Sequence, residues 1–215
     1  MNTLIIDCSA GMCVCFLKDE KVFSKIDNEQ KRHTDELLLA VDSLLKDAGM
    51  KVSEIDNLCV CVGPGSFTGI RVAISICKGL AIGANAKVFV ASNFDVLEQG
   101  SAQKRLYILE GFSKFVYVRK IENEQVFEDC VDINDLVNEL KNSDYDIYVQ
   151  NEKLQKTLKN AEILSNIAKN EIILHFLDKI NNNEYVSLNT IEPIYLRASQ
   201  AEMERNKKLA GGVNG

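Results

Sequence analysis

The chain opens on an apolar run, Thr3 to Cys8, that leads into Asp7-Cys8-Ser9-Ala10-Gly11. From Met12 to Lys18 apolar and polar positions alternate. After a charged turn at Asp19 a further strand follows over 20–26. Period-2 alternation sends successive side chains to opposite faces, so these stretches predict three antiparallel strands in a meander. The period then lengthens. Leu37, Leu38, Val41, Leu44 and Leu45 fall on one face of a helix over 35–48, with Thr34 as its N-cap and Gly49 just past its end. The run Leu58-Cys59-Val60-Cys61-Val62 has no polar face and predicts a strand covered on both sides. It is followed by Gly63-Pro64-Gly65-Ser66-Phe67-Thr68-Gly69, a helix to Gly83 and a strand over 87–91.

The second half repeats this order without repeating the residues. Strands are predicted over 105–109, 115–121 and 125–127, then a helix over 133–141, a strand over 146–150 and helices over 152–159 and 166–181. A last strand is expected over 185–188 and a helix over 198–209, before the closing Gly-Gly-Val-Asn-Gly. Three antiparallel strands followed by helix-separated parallel strands form the half-unit of the actin-like ATPase fold, a ribonuclease H-like arrangement. The expected fold class is therefore α/β in two lobes, each a mixed sheet with helices. The expected division is 1–102 for the first lobe, 103–189 for a smaller, degenerate second lobe, and 190–215 for a segment that packs back on the first.

Charge narrows the partners. The 215 residues carry 25 Lys and Arg against 31 Asp and Glu, a net charge of −6. No segment is strongly basic. Phosphate backbones are held mostly by Lys and Arg, so the chain alone is expected to bind nucleic acid poorly, although folding can still gather a local basic patch. The start lacks the basic and apolar regions of a signal peptide, and no apolar stretch is expected to approach the roughly 18 residues of a membrane span. The seven cysteines are odd in number and lack paired Cys-x-x-Cys spacing, which predicts reduced core thiols rather than a zinc site. The expected compartment is the cytosol.

Candidate chemistry concentrates at one turn. Gly63 to Gly69 lies between a strand and a helix, where backbone N–H groups can cradle a phosphate. It lacks the Gly-Lys-Ser/Thr ending of a P-loop, and Ser66 lacks the flanking glycines of a nucleophile elbow. The competing reading is a tight turn in which Ser66 caps the helix. An actin-like ATPase also needs glycine-built loops in its second lobe, yet no glycine occurs between Phe112 and Ala210. Tyr148-Val149-Gln150-Asn151 stands where a glycine pair is expected, and Glu110-Gly111-Phe112-Ser113 is at most the remnant of a second phosphate loop. The two histidines, His33 and His175, are far apart in sequence and supply no metal cluster. No catalytic or metal-binding residue is assigned, and autonomous ATP hydrolysis is not expected.

The run Gly63-Pro64-Gly65-Ser66-Phe67-Thr68-Gly69-Ile70-Arg71, continued by Ala73 and Lys78-Gly79-Leu80-Ala81, resembles the signature of the bacterial TsaB (YeaZ) family of threonylcarbamoyladenosine biosynthesis proteins. Ile6-Asp7-Cys8-Ser9, His33-Thr34-Asp35-Glu36-Leu37-Leu38 and Glu192-Pro193-Ile194-Tyr195-Leu196-Arg197 resemble three further family segments, in the family's order. Where family members often carry Asp-Ala-Arg, this chain has Glu110-Gly111-Phe112.

The resemblance implies a non-catalytic scaffold subunit for threonylcarbamoylation of adenosine 37 in tRNAs reading codons that begin with A. It implies a heterodimer with the catalytic subunit TsaD, the ATPase TsaE as a third component, and a homodimer when alone. RNA would be met only through the complex, and no membrane is involved. No cofactor is expected to bind tightly to this chain alone, with ATP or ADP bound only in the complex. Asp7, Ser9, Gly63, Gly65, Ser66, Thr68 and Gly69 would form a degenerate phosphate loop. Leu38, Val41 and Leu45 of one helix, with Ile70, Ala73, Ile74 and Leu80 of the next, are the expected partner interface. The alternatives are an enzyme in its own right, peptidase-like or a degenerate phosphotransferase, and a stand-alone homodimeric nucleotide sensor.

Overall fold

The computed structural model describes residues 1–19, 21–27, 33–98, 100–158, 160–163 and 169–197. Its first sheet holds β1 (Asn2–Asp7), β2 (Met12–Lys18), β3 (Lys21–Asp27), β4 (Asn57–Cys61) and β5 (Lys87–Ala91) in the order β3-β2-β1-β4-β5. β1, β2 and β3 pair antiparallel, with Ile5 opposite Cys15 and Phe16 opposite Phe23. β4 and β5 then add in parallel to the other edge, with Ile5 opposite Cys59 and Cys59 opposite Phe89. β4 is buried throughout, as its unbroken apolar run requires.

The second sheet holds β6 (Lys104–Glu110), β7 (Phe115–Glu122), β8 (Gln125–Asp132), β9 (Asp146–Val149) and β10 (Glu162–Ile163) in the order β10-β9-β6-β7-β8. Read from its meander edge this is β8-β7-β6-β9-β10, the order of the first sheet again. β6, β7 and β8 are antiparallel, and β9 and β10 are parallel additions. The chain is a duplicated α/β unit with the two-lobed actin-like fold.

Helices cover the sheets. α1 (His33–Asp47) and α2 (Phe67–Ala84) lie on one face of the first sheet, where Leu37, Val41, Leu44, Ile70, Ala73 and Cys77 enclose a core with Leu4, Ile6 and Val60. The opposite face, Ile5, Cys15, Cys59 and Phe89, is covered by Val96 of α3 (Asn93–Leu97) and by Ile172, Ile173 and Phe176 of α6 (Lys169–Asn181). α4 (Ile133–Glu139) and α5 (Glu152–Thr157) cover one face of the second sheet. Its other face, Tyr107, Leu109, Ile121 and Tyr148, packs against Phe94 and Leu97 of α3, which joins the lobes through a common apolar core.

Several expectations change. α6 was grouped with the second lobe, but its apolar face is spent on the first sheet. The segment 185–188 makes only an isolated bridge between Val186 and Val88 before a 3-10 turn at Leu188–Thr190. The fifth strand of the second sheet is the short β10, which lies outside every expected strand. α1 begins at His33, one residue before the expected cap Thr34. The helix expected over 198–209 lies outside the described residues. α2 has 18 residues and a mean hydropathy of 1.4, so one helix does reach the length and composition of a membrane span. Here that apolarity serves the core, because Gly69, Ile70, Ala73, Ile74, Cys77 and Ala81 are buried against the sheet.

Candidate functional site

β1 and β4 run parallel and end side by side, so the turn after each strand meets the other. This places Cys8 and Ser9 of the first turn against Gly65, Ser66 and Gly69 of the second, while Asp7 bonds within its own turn, Gly63 faces Ile70 and Ile194, and no contact joins Thr68 to the first turn among the described residues. Asp7 accepts from the Ser9 N–H at 2.9 Å. Burial pushes the Asp7 carboxyl above its usual range, against the lowering effect of the Ser9 hydrogen bonds. The Ser9 carbonyl accepts from Ser66 N–H at 2.6 Å. A Cβ on Gly65 would stand 2.5 Å from that same carbonyl oxygen, and one on Gly69 would fall on the carbonyl oxygen of Cys8. These two glycines are required by close packing of the chain on itself.

The cap and several carbonyls of the loop are engaged as well. Ser66 caps α2, its hydroxyl accepting from Gly69 N–H at 3.2 Å. Asn93 fastens the other side: its N–H donates to Gly63 O at 2.8 Å and its Nδ2 to Pro64 O at 2.7 Å. Tyr117 of the second lobe donates to Gly65 O at 3.4 Å, and Ile194 N–H donates to Val62 O at 2.8 Å. The arrangement has the outline of a phosphate loop, but its carbonyls and cap are bound by neighbouring elements.

The matching end of the second lobe is closed by side chains. Gln150 Oε1 accepts from Glu110 N–H at 2.8 Å, and Glu110 binds Asn151 Nδ2 at 3.0 Å and Lys153 Nζ. Asn151 caps α5. A Cβ on Gly111 would stand 2.5 Å from Phe115 O, so that glycine serves the β6–β7 turn.

Between the lobes lies a feature that sequence reasoning missed. Arg119 of β7 is buried, and its guanidinium pairs with Asp95 at 2.8 Å, Glu98 at 3.0 Å and Glu128 at 2.6 Å. It also donates to Ser92 Oγ at 3.1 Å and lies 5.0 Å over the Phe94 ring. Asp95 and Glu98 belong to the first lobe and Glu128 to β8. An arginine at an inward position of an alternating strand, Val118-Arg119-Lys120, was the available signal, but its acidic partners are distant in sequence.

The expected partner interface separates into two groups. Val41, Leu45, Ile70, Ala73 and Ile74 are buried in the chain's own core and are corrected from surface to interior. Their period-3–4 spacing is the face each helix turns to the sheet. Leu38 is exposed and Leu80 half-buried; the apolar side chains that α1 and α2 do present outward are Leu38, Leu39 and Ile82. Around Ile82 the outer face of α2 is small: Ser75, Gly79 and Gly83 are exposed, and the two glycines have open space at their Cβ positions. Among the described residues no group of three or more His, Cys, Asp or Glu side chains is placed to hold a metal. His175 lies on α6 with its Nε2 buried and unpartnered, and burial pushes its pKa down.

Residues 21–132, over half the chain, match the family model for TsaD, tRNA N6-adenosine threonylcarbamoyltransferase. The chain belongs to this family. Among curated members it is 30% identical over 136 residues to the tRNA threonylcarbamoyladenosine biosynthesis protein TsaB of Haemophilus influenzae, covering 60% of this chain and 57% of that one. It is 33% identical over 105 residues to TsaB of Escherichia coli, covering 48% and 46%. The matched part thus spans about half the length of these TsaB relatives. YeaZ from Pseudomonas aeruginosa superposes with a TM-score of 0.70 at 21% identity, covering 91% of this chain and 99% of that chain. That likeness extends the shared fold over nearly the whole molecule.

Proposed function

We propose that this chain is a non-catalytic subunit of tRNA threonylcarbamoyladenosine biosynthesis. It binds the threonylcarbamoyltransferase TsaD, acts with the ATPase TsaE in the cytosol, and meets tRNA only through that assembly. The observation that carries the reading is how the cleft of an ATPase-like fold is filled. The glycines of Gly63–Gly69 pack on the Cys8 and Ser9 carbonyls, Asn93 fastens the loop from the side, and Arg119 with the Phe94–Tyr107 core occupies the space between lobes. A nucleotide held by this chain alone would have to displace its own packing. ATP or ADP therefore binds only where a partner contributes to the site.

Support for the partner surface comes from α1 and α2. Both leave apolar side chains exposed, and the small outer face of α2 lets another helix approach closely. Two copies using this surface would pair as an isologous dimer, so self-association and TsaD binding should compete. Co-purification of the full chain with TsaD from the same organism tests the proposal. Wild type is expected to capture TsaD, and Ile82→Asp to lose it while remaining folded. Isothermal titration with ATP is expected to give no heat of binding with the isolated chain. ATP binding or turnover by the pure chain that is lost on Asp7→Asn would overturn the non-catalytic reading.

A further inference from the structure

Arg71 closes the signature run Gly63–Arg71, and neither the core nor the cap uses it. It sits one turn into α2, where its guanidinium carbon lies 3.8 Å over the Phe67 ring and 5.4 Å from the Tyr195 ring. Its Nε donates to Tyr195 Oη at 2.5 Å, and the Phe67 and Tyr195 rings stack at 4.8 Å. The backbone under Tyr195 is fixed in turn: Ile194 N–H binds Val62 O, and Lys78 Nζ binds Ile191 O at 3.0 Å. A long, rotamer-rich side chain is thereby held in one orientation on the surface. Nε is used internally, while the Nη groups find no carboxylate among the described residues. Arg119, which also lies over a ring, has three carboxylates. In a chain with six more acidic than basic residues, an arginine kept rigid and without a carboxylate among the described residues is an oriented site for an external anion.

Its place on the helix indicates which anion. Arg71, Ser75, Gly79 and Gly83 recur every four residues and are all exposed, so they form one line along the outer face of α2, with Ile82 beside its far end. A helix lying on that line meets small residues and an apolar side chain at one end and the guanidinium at the other. Arginine and tyrosine held in place before contact are the side chains that dominate protein interfaces, because little freedom remains to be lost on binding. We propose that Arg71, clamped by Phe67 and Tyr195, is a preset receptor for a carboxylate on the partner subunit and fixes the register of the helix that docks along α2. This rests on the proposed function, whose helix-face contact it deepens.

The test uses the full chain and TsaD in co-purification and surface-plasmon kinetics at low and high salt. Arg71→Ala is expected to raise the dissociation constant at least about tenfold, mostly through faster dissociation. Arg71→Lys should recover only part of this, because an ammonium lacks the planar fork. Tyr195→Phe, which keeps the ring but frees Nε, should weaken binding less than Arg71→Ala. Reversal of one carboxylate on TsaD should restore binding to Arg71→Glu. If Ile82→Asp abolishes capture while Arg71→Ala and Arg71→Glu bind like wild type, the helix face stands and the carboxylate receptor is overturned. If wild type captures no TsaD, both fall. If the Arg71 variants keep TsaD but lose cross-linking of the assembled complex to an anticodon stem-loop RNA, the anion is a phosphate and the proposal is wrong.

Discussion

Arg119 offers the sharpest test of how the lobes are held. Its side chain is 8% exposed, whereas Asp95, Glu98 and Glu128 are 41%, 35% and 22% exposed. Arg119→Leu keeps an apolar stem over Phe94 but leaves three carboxylates facing one another. Removing one partner of a fully buried ion pair costs roughly 3–5 kcal/mol. Asp95 and Glu98 are open enough to be resolvated, so their share is discounted and a loss of about 2–3 kcal/mol is expected. For a chain of this size that corresponds to a fall in Tm of roughly 4–12 °C. The measurement is thermal unfolding followed by circular dichroism at pH 7. A triple variant that adds Asp95→Asn and Glu128→Gln removes most of the stranded charge and should recover part of the loss. Acid adds an independent check. Burial tends to raise the Asp95 carboxyl, but the Ser92 N–H and the Arg119 guanidinium together hold it below its usual range. A carboxylate with a depressed folded pKa contributes stability that is present above about pH 4 and is lost as pH falls through the folded value. Wild type should therefore lose stability more steeply than Arg119→Leu below about pH 4. A Tm within about 2 °C of wild type for Arg119→Leu, with unchanged acid sensitivity, would refute the reasoning.

Two further outcomes follow from packing. Gly69→Ala should unfold the first lobe or fail to accumulate, because its Cβ collides with the Cys8 carbonyl, whereas Gly79→Ala, with open space, should stabilise α2 by roughly 0.5–1 kcal/mol; differential scanning calorimetry separates them. Burial pushes the Cys8 and Cys77 thiols up to about 12 and those of Cys59 and Cys61 well above the ordinary value, so native protein at pH 8 should react slowly with a thiol reagent. These four buried thiols should react promptly only in denaturant, and fast native reaction at Cys59 or Cys61 would contradict the packed face between β4 and α6.

What the sequence revealed followed from local periodicity. Alternation fixed the two meanders, the unbroken run at Leu58–Val62 marked the central strand, and Ser66 announced the start of α2. What it concealed depended on distance. β10 has two residues, too few for a period, and is defined only by its pairing with β9. α3 is five residues long, and its capping box, Ser92 with Asp95, stood unread beside the strand before it. The outward faces of α1 and α2 were misassigned because an apolar stripe identifies a buried face without naming what buries it. On these helices the stripe meets the sheet, and the outward face carries Leu38, Leu39 and Ile82 beside the exposed glycines Gly79 and Gly83. Arg119 illustrates the same limit: its three acids lie between 9 and 24 positions away, and only the fold collects them.

The duplicated topology and the filled cleft have a common physical consequence. Two lobes of this kind ordinarily face each other across a gap that can open, and motion about the gap requires few contacts to break. Here α3 enters the gap from the first lobe and buries Phe94 and Leu97 among Tyr107, Leu109, Ile121 and Tyr148 of the second. Arg119 adds charged contacts to both sides, and Tyr117 reaches back to Gly65. Opening would expose this apolar cluster and separate the arginine from the first lobe's carboxylates together, so the cost rises in one cooperative step rather than gradually. A body so joined resists opening about the gap between its lobes. It is suited to presenting a fixed outer surface, and the face that its packing leaves open, along α1 and α2, is continuous with the oriented guanidinium of Arg71.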